Sequence, residues 1–265
     1  MFSLIEVVII LLIGAGGGIM VGIMGGSGVV VVVPMLTLIL SFPVHTAIGT
    51  SLLINVIAAA VTSFIYYRHQ RLYIKPALWI ALGSVISAPA GSLFADMMPS
   101  VGLSNLFGLM LVPMGILLWV RGIRRTTGGM GNSGNSDTLP VETNKGRLIA
   151  LGLGLFVGIM CGLFGAGGGG MIFMILVFVL HYPIHIAVGT SSFIMMITAI
   201  SGTAGYALHG NIDIYAALIA SVSTVLTAGL GALVANRASE KTLGRIIGAI
   251  LTALGISMIV IQYIS

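Results

Sequence analysis

Charged side chains are scarce in this chain of 265 residues. Asp, Glu, Lys and Arg together make up 6% of the sequence, whereas hydrophobic residues make up 58% and the mean hydropathy is +1.17. A soluble domain carries about 25% charged residues, so this composition cannot cover a water-facing surface. Several apolar runs approach the roughly 20 residues that cross a hydrocarbon core. The sequence therefore predicts a polytopic membrane protein.

Cysteine, buried carboxylates and a basic N-terminal region are also rare or absent. The sequence begins Met1-Phe2-Ser3-Leu4-Ile5-Glu6, which lacks the positive charge of a cleaved signal peptide. A single Cys161 excludes an intramolecular disulfide and any metal site built from a Cys pair. No Asp or Glu falls deep within an apolar run, which argues against a carboxylate-based cation site. We therefore expect no metal and no cofactor.

The net charge of +5 comes from a few Lys and Arg residues in the loops. Such loop charges indicate membrane topology, so we expect no nucleic-acid partner.

Internal repetition is the most prominent feature that the chain does have. The nonapeptide Pro43-Val44-His45-Thr46-Ala47-Ile48-Gly49-Thr50-Ser51 returns 140 residues later as Pro183-Ile184-His185-Ile186-Ala187-Val188-Gly189-Thr190-Ser191. The same offset relates many glycines across the two halves. The chain is therefore expected to contain two copies of one structural unit, residues 1–120 and 148–265. The Gly- and Ser-rich residues 121–147 predict a flexible linker between them.

Each copy contains five apolar segments. They are continuous and not alternating as in a β-barrel, so we predict that all are helical. In the first copy they cover residues 4–24, 28–41, 44–67, 74–95 and 101–120, and in the second copy 148–164, 169–181, 184–207, 213–235 and 244–264.

Loop charges predict that the two copies have opposite orientations. Lys and Arg follow the third segment of the first copy and fill the linker, but in the second copy they follow the fourth segment. Basic loops are typically cytoplasmic, so equivalent loops lie on opposite sides of the membrane. The predicted fold class is an all-α polytopic protein of two inverted-topology repeats. It lies in the inner or plasma membrane, and its linker is cytoplasmic.

Glycine clusters separate the first two segments of each copy. They are Gly25-Gly26-Ser27-Gly28 and Gly165-Ala166-Gly167-Gly168-Gly169-Gly170. Residues 169–181 would form a helix of roughly 20 Å, which is too short for a core of roughly 30 Å. We therefore predict broken or re-entrant helices with glycine tips near the midplane; one tilted helix over 4–41 is the alternative.

The glycines could serve binding or packing. Backbone N–H groups at the tips, with half-helices beginning at Val29 and Met171, could bind an anion. The four-residue spacing of Gly14, Gly18 and Gly22, and of their counterparts in the second copy, instead indicates close helix packing.

Hydroxyl and amide groups follow the clusters in each copy. Thr50-Ser51 and Thr190-Ser191 could donate hydrogen bonds to an oxyanion, as could Asn55, whose counterpart is Met195. They could instead bind helix carbonyls; retention of the pattern in both copies favours function. His45 and His185 lie near helix ends and could relay protons or act as a gate, or they could be ordinary interfacial residues. The predicted substrate contacts are Gly25, Gly26, Ser27, Gly28, Thr50, Ser51, Asn55, Gly165, Gly167, Gly168, Gly169, Thr190 and Ser191.

These motifs resemble the TauE/SafE family of sulfite and organosulfonate exporters. The duplicated Gly-rich segment, the Pro-x-His-x-Ala-x-Gly-Thr-Ser stretch, the basic loop Arg68-His69-Gln70-Arg71 and the hydrophilic linker carry the resemblance, which covers nearly the whole chain. It implies a secondary transporter that exports a small sulfur-containing anion. We expect alternating access at a midplane site between the repeats.

Two alternative functions stay open at this point. One is an anion channel, and the other is a membrane partner of sulfur metabolism. Enzyme activity is not expected, because no nucleophile or metal constellation is visible. The expected partners are a small anionic substrate and the lipid bilayer, and a homo-oligomer is left open.

Overall fold

The computed structural model describes residues 2–26, 28–96, 116, 144–164, 168–180, 182–208, 210–239, 241–243, 245–249, 252–253 and 256. The regular structure in these ranges is helical and contains no strand, as the sequence predicts. The helices are α1 (Leu4–Met24), α2 (Val29–Leu40), α3 (Val44–Arg68), α4 (Ile74–Asp96), α5 (Asn144–Phe164), α6 (Gly168–Met174, continued by a π-helical turn over Ile175–Val179), α7 (Ile184–Leu208) and α8 (Ile214–Arg237). Nearly all of segment 101–120, linker residues 121–143 and much of segment 244–264 lie outside the described residues.

Four of the described helices are long and apolar enough to cross a membrane: Leu4–Met24, His45–Arg68, Ile184–Leu208 and Ile214–Arg237. Their outer faces expose large apolar side chains, including Phe64 and Leu218, at about 60% of their full area. Water would oppose such exposure and lipid favours it. The protein is therefore a membrane protein.

Helix ends agree with the predicted segments to within two residues for α1 to α4, α7 and α8. The largest difference is at α5, which begins at Asn144 rather than at residue 148. The prediction counted only apolar residues, whereas the helix continues through Lys145, Gly146 and Arg147. The last residues of the predicted linker are therefore helical.

Two carboxylates lie at helix starts, as expected for residues at the ends of the apolar segments. The Ser3 hydroxyl accepts from Glu6 N–H at 3.3 Å, and Ser3 N–H donates to the Glu6 carboxylate at 2.7 Å, which forms a capping box. Asp213 caps α8 by accepting from Ala216 N–H at 2.9 Å. Neither carboxylate is available as a buried cation ligand.

The first copy breaks at its glycine cluster. Gly25 ends α1 in a left-handed conformation, with a φ of 62°, which glycine adopts without strain. The rings of Phe2 and Phe42 stack with centroids 6.4 Å apart, so α2 runs back along α1. A single helix over 4–41 is thus wrong.

The second cluster differs from the prediction at one point. Helix α6 begins at Gly168, three residues before the predicted start at Met171. Gly168, Gly169 and Gly170 therefore form its first turn and do not belong to the preceding loop. Glycine has a low helix propensity, and this is why the sequence placed the start too late.

Contacts between the copies recur at the offset of 140 residues with the partners exchanged. Helix α1 packs on α8, and its counterpart α5 packs on α4. A Cβ atom at Gly14 would lie 2.9 Å from the Ala220 carbonyl carbon, and one at Gly154 would lie 2.9 Å from that of Ile80. Real Cβ contacts do not come this close, so the prediction of close packing at these glycines is confirmed.

Substitution of Gly154 tests this packing. Gly154→Ala places a methyl group against the Ile80 backbone and should destabilise the protein by about 1–3 kcal/mol, as overpacking does. Gly152→Ala is the matched control, because a Cβ there meets no atom within 4 Å. Thermal unfolding in detergent should show a lower Tm for Gly154→Ala only; equal Tm values would contradict the packing.

Candidate anion site where the two copies meet

The first glycine cluster contacts the second copy. A Cβ atom at Gly26 would lie 3.4 Å from the nitrogen of Gly170 and 3.6 Å from the carbonyl carbon of Gly169. The glycine-rich start of α6 and the break between α1 and α2 therefore lie side by side, as two backbones without intervening side chains. Of the other predicted tip residues, Ser27, Gly165 and Gly167 lie outside the described part of the chain.

Ser191 holds the first break in place. Its hydroxyl lies 2.8 Å from the Gly25 carbonyl oxygen and 3.0 Å from that of Val188, so the single hydroxyl hydrogen is shared between them. Ser191 is fully buried. The nonapeptide of the second copy thus binds a carbonyl that the end of α1 leaves without a helical partner.

Asn55 holds the other side of the same break. Its Oδ1 atom accepts from Gly28 N–H at 3.1 Å, at the position that precedes α2. Its Nδ2 atom, in a side chain only 2% exposed, has no hydrogen-bond partner among the described residues. The Asn55 side chain therefore offers, beside the N-terminus of α2, an N–H donor that no described residue accepts.

A narrow crevice lies against this donor. It is lined by Gly17, Gly28, Ser51, Asn55 and apolar side chains of α1, α2 and α3, all in the first copy. It is too narrow to admit a water-sized sphere. The Ser51 hydroxyl donates to Ile48 O at 2.7 Å, within its own helix.

Thr50 and Thr190 each bind a loop of the other copy. The Thr50 hydroxyl oxygen accepts from Asp213 N–H at 2.9 Å, and that of Thr190 accepts from Tyr73 N–H at 3.2 Å. Both threonines are fully buried. The sequence predicted that these hydroxyls bind an anion. In the structure their oxygens accept from the backbone of a loop, and the contact with an anion stays a prediction.

The glycine before each threonine makes room for the same loop. A Cβ atom at Gly49 would lie 3.1 Å from the carbonyl carbon of Asn211, and one at Gly189 would clash with the carbonyl oxygen of Arg71. We refer to Gly49-Thr50 and Gly189-Thr190 as the Gly-Thr clasps. They explain why this part of the nonapeptide recurs in both copies.

The two histidines of the nonapeptides have different surroundings. His45 is exposed. His185 is 8% exposed, and its Nε2 atom lies 3.0 Å from Ala238 O and 3.2 Å from Ala235 O, at the end of α8. Neither contact involves the glycine clusters, and a role as proton relay or gate stays a prediction.

Sequence reasoning missed one polar contact between the copies. Arg71 donates through Nη1 to the backbone and side-chain oxygens of Asn236, at the end of α8. The sequence identified the basic loop only through its effect on membrane topology. Asn236, the partner of Arg71, lies 165 positions away and carries no charge. No sequence signal pairs them.

The helical architecture is that of a membrane protein, and comparison with known proteins identifies a membrane transporter and its family. Residues 10–258 match the profile of the sulfite exporter TauE/SafE family. The chain belongs to this family. No solved structure matches it significantly.

The similar curated proteins carry the same general description. A "Probable membrane transporter protein" of Xylella fastidiosa (strain 9a5c) is 30% identical over 95% of each chain. The "Probable membrane transporter protein YdhB" of Bacillus subtilis (strain 168) is 29% identical over 83% of this chain and 86% of its own length. The YunE protein of the same strain, named in the same way, is 25% identical over 95% of this chain and 97% of its own.

Removal of a clasp hydroxyl should reduce stability. Thr190→Val removes the buried hydroxyl oxygen that accepts from Tyr73 N–H, and loss of this hydrogen bond should cost about 0.5–1.5 kcal/mol. Thr227→Val is the control, because the Thr227 hydroxyl donates only to carbonyls of its own helix, at 2.9 and 3.4 Å. Thermal unfolding should give a lower Tm for Thr190→Val than for Thr227→Val; the reverse order would contradict the clasp.

Proposed function

We propose that this protein is a secondary transporter that exports a small sulfur-containing oxyanion, such as sulfite or an organosulfonate. It does so by alternating access at a midplane site between two inverted repeats. The match to the sulfite exporter family over residues 10–258 supports the substrate class. The names of its relatives support transport in general.

Exchange of contacts between the copies supports the inverted repeat. A two-fold relation makes each contact occur twice with the partners reversed, as the two Gly-Thr clasps do. Lys and Arg follow α3 in one copy and α8 in the other, which supports opposite orientations of the copies. The proposed location is the plasma membrane, with multiple spans and the linker in the cytoplasm.

The observation that carries the proposed site is the Asn55 amide at the break before α2. An anion there would meet Nδ2, the N-terminus of a helix and backbone atoms of glycine. Partial positive charge at a helix N-terminus attracts anions, and a neutral amide donates without the cost of burying a cation. We infer that the break is a re-entrant tip and that the anion binds when the crevice widens.

Asn55→Asp tests this site in proteoliposomes. The new carboxylate still accepts from Gly28 N–H, but it replaces a donor with a negative charge. Loss of one hydrogen bond to a charged group is worth about 1.5–3 kcal/mol, so sulfite flux should fall about ten-fold or more. Radioactive sulfite uptake measures the effect.

Met195→Leu, at the equivalent position in the second copy, is the matched control and should retain flux. Undiminished flux in Asn55→Asp would remove Asn55 from the site. Saturation of wild-type flux with concentration supports a transporter; flux that follows membrane potential without saturation would indicate an anion channel. Thermal shifts with carboxylates but not with sulfite or sulfoacetate would overturn the substrate class.

A further inference from the structure

Three polar side chains lie on one face of α3. Asn55, Thr62 and Tyr66 are separated by seven and four residues, so at 3.6 residues per turn they point within about 40° of one another. They extend about 16 Å along the helix at its rise of 1.5 Å per residue. Their side chains are 2%, 0% and 0% exposed. We refer to them as the α3 polar stripe.

Each member of the stripe has a polar atom that finds no hydrogen-bond partner in the described ranges. These atoms are Asn55 Nδ2, Thr62 Oγ1 and Tyr66 OH. Native proteins contain few such atoms, and each one requires a reason. Neighbouring Ser63 shows the ordinary solution, since its hydroxyl donates to Ala60 O at 3.1 Å within the helix.

The α3 polar stripe extends from the crevice to the basic loop. At one end Asn55 borders the crevice and the break before α2. At the other end Tyr66 lies one turn before the basic loop, and its carbonyl accepts from Arg71 N–H at 2.9 Å. Arg68 and Arg71 follow, so the stripe leads from a closed binding crevice to a positively charged helix end.

The second copy does not repeat the stripe. The residues at the equivalent positions of α7 are Met195, Gly202 and Tyr206. Two of the three positions therefore lack a polar side chain, although the sequences of α3 and α7 align without a gap. Folding of the repeat does not require these polar groups, which points to a role confined to one half of the transport route.

We propose that the α3 polar stripe lines the route of the substrate anion between the crevice and the basic end of α3. This inference rests on the proposed function. All three groups can donate a hydrogen bond, and none carries a negative charge, which suits a small oxyanion. In the closed conformation the donors are sealed without partners, and they meet the anion or water when the basic end opens.

Thr62→Val and Tyr66→Phe test the stripe, because each removes only the oxygen that has no partner. Both variants should keep or raise the Tm of wild type, since no hydrogen bond is lost. Sulfite flux should nevertheless fall about ten-fold or more for each, as a hydrogen bond to a charged group is removed. Ser63→Ala, which removes a hydroxyl that is bonded within the helix, should transport as wild type does.

A labelling experiment gives a readout that does not depend on flux. Thr62→Cys and Ser63→Cys are made in a Cys161→Ala background and treated with a membrane-impermeant thiosulfonate reagent from either side. Thr62→Cys should react only from the side of the basic loop, and sulfoacetate should slow this reaction. Ser63→Cys should show no protection by sulfoacetate.

The outcomes separate this inference from the function on which it rests. Absence of saturable anion flux in wild type would overturn the proposed function. Saturable flux that falls in Asn55→Asp but is unchanged in Thr62→Val and Tyr66→Phe would overturn the stripe alone. A failure of Thr62→Cys to react from either side, or a clear loss of Tm in Thr62→Val, would overturn it too.

Discussion

The structure depends on one constraint: inside a membrane, every backbone polar group at a helix break needs a partner within the protein. The described breaks and loops meet this constraint with side chains of α3 and α7, mostly across the two copies. Without the other copy, the Gly25 carbonyl and the N–H groups of Tyr73 and Asp213 would lose their partners, so the two copies complete each other's backbone hydrogen bonds. The pairs are Ser191 with Gly25 O, Asn55 with Gly28 N, Thr50 with Asp213 N, and Thr190 with Tyr73 N.

The copies share this architecture but differ in chemistry. Clasps and glycine packing occur twice because each supports the fold, and loss of either would expose backbone or open a gap. Asn55 and Thr62 occur once, opposite Met195 and Gly202, so the second copy forms the equivalent helix without them. A symmetric scaffold can therefore carry particular polar groups in one copy only. In the proposed function, this difference is a physical basis for handling an anion differently at the two membrane faces.

Much of this fold could be predicted from the sequence, because apolar runs set helix length and a constant offset relates the copies. The roles of particular side chains were harder to predict. The sequence predicted Thr50 and Thr190 as donors to an anion. Their oxygens accept from loops that lie more than 100 positions away. The lack of a partner for Thr62 could not be predicted at all, since a sequence shows which groups exist but not which remain unpaired.

The unpaired donors of the α3 polar stripe also bear on the conformational change that the proposed function requires. A transporter must keep its two conformations close in free energy, since a difference of about 5.5 kcal/mol moves a population from 1:99 to 99:1. A buried group without a partner costs about 1–3 kcal/mol, so the three groups of the α3 polar stripe act on this same scale. In the transport cycle proposed above, they raise the free energy of the closed, empty conformation and favour opening towards the basic end. An anion that binds these donors then removes the penalty, so that the proposal couples binding and conformational change through the same three side chains.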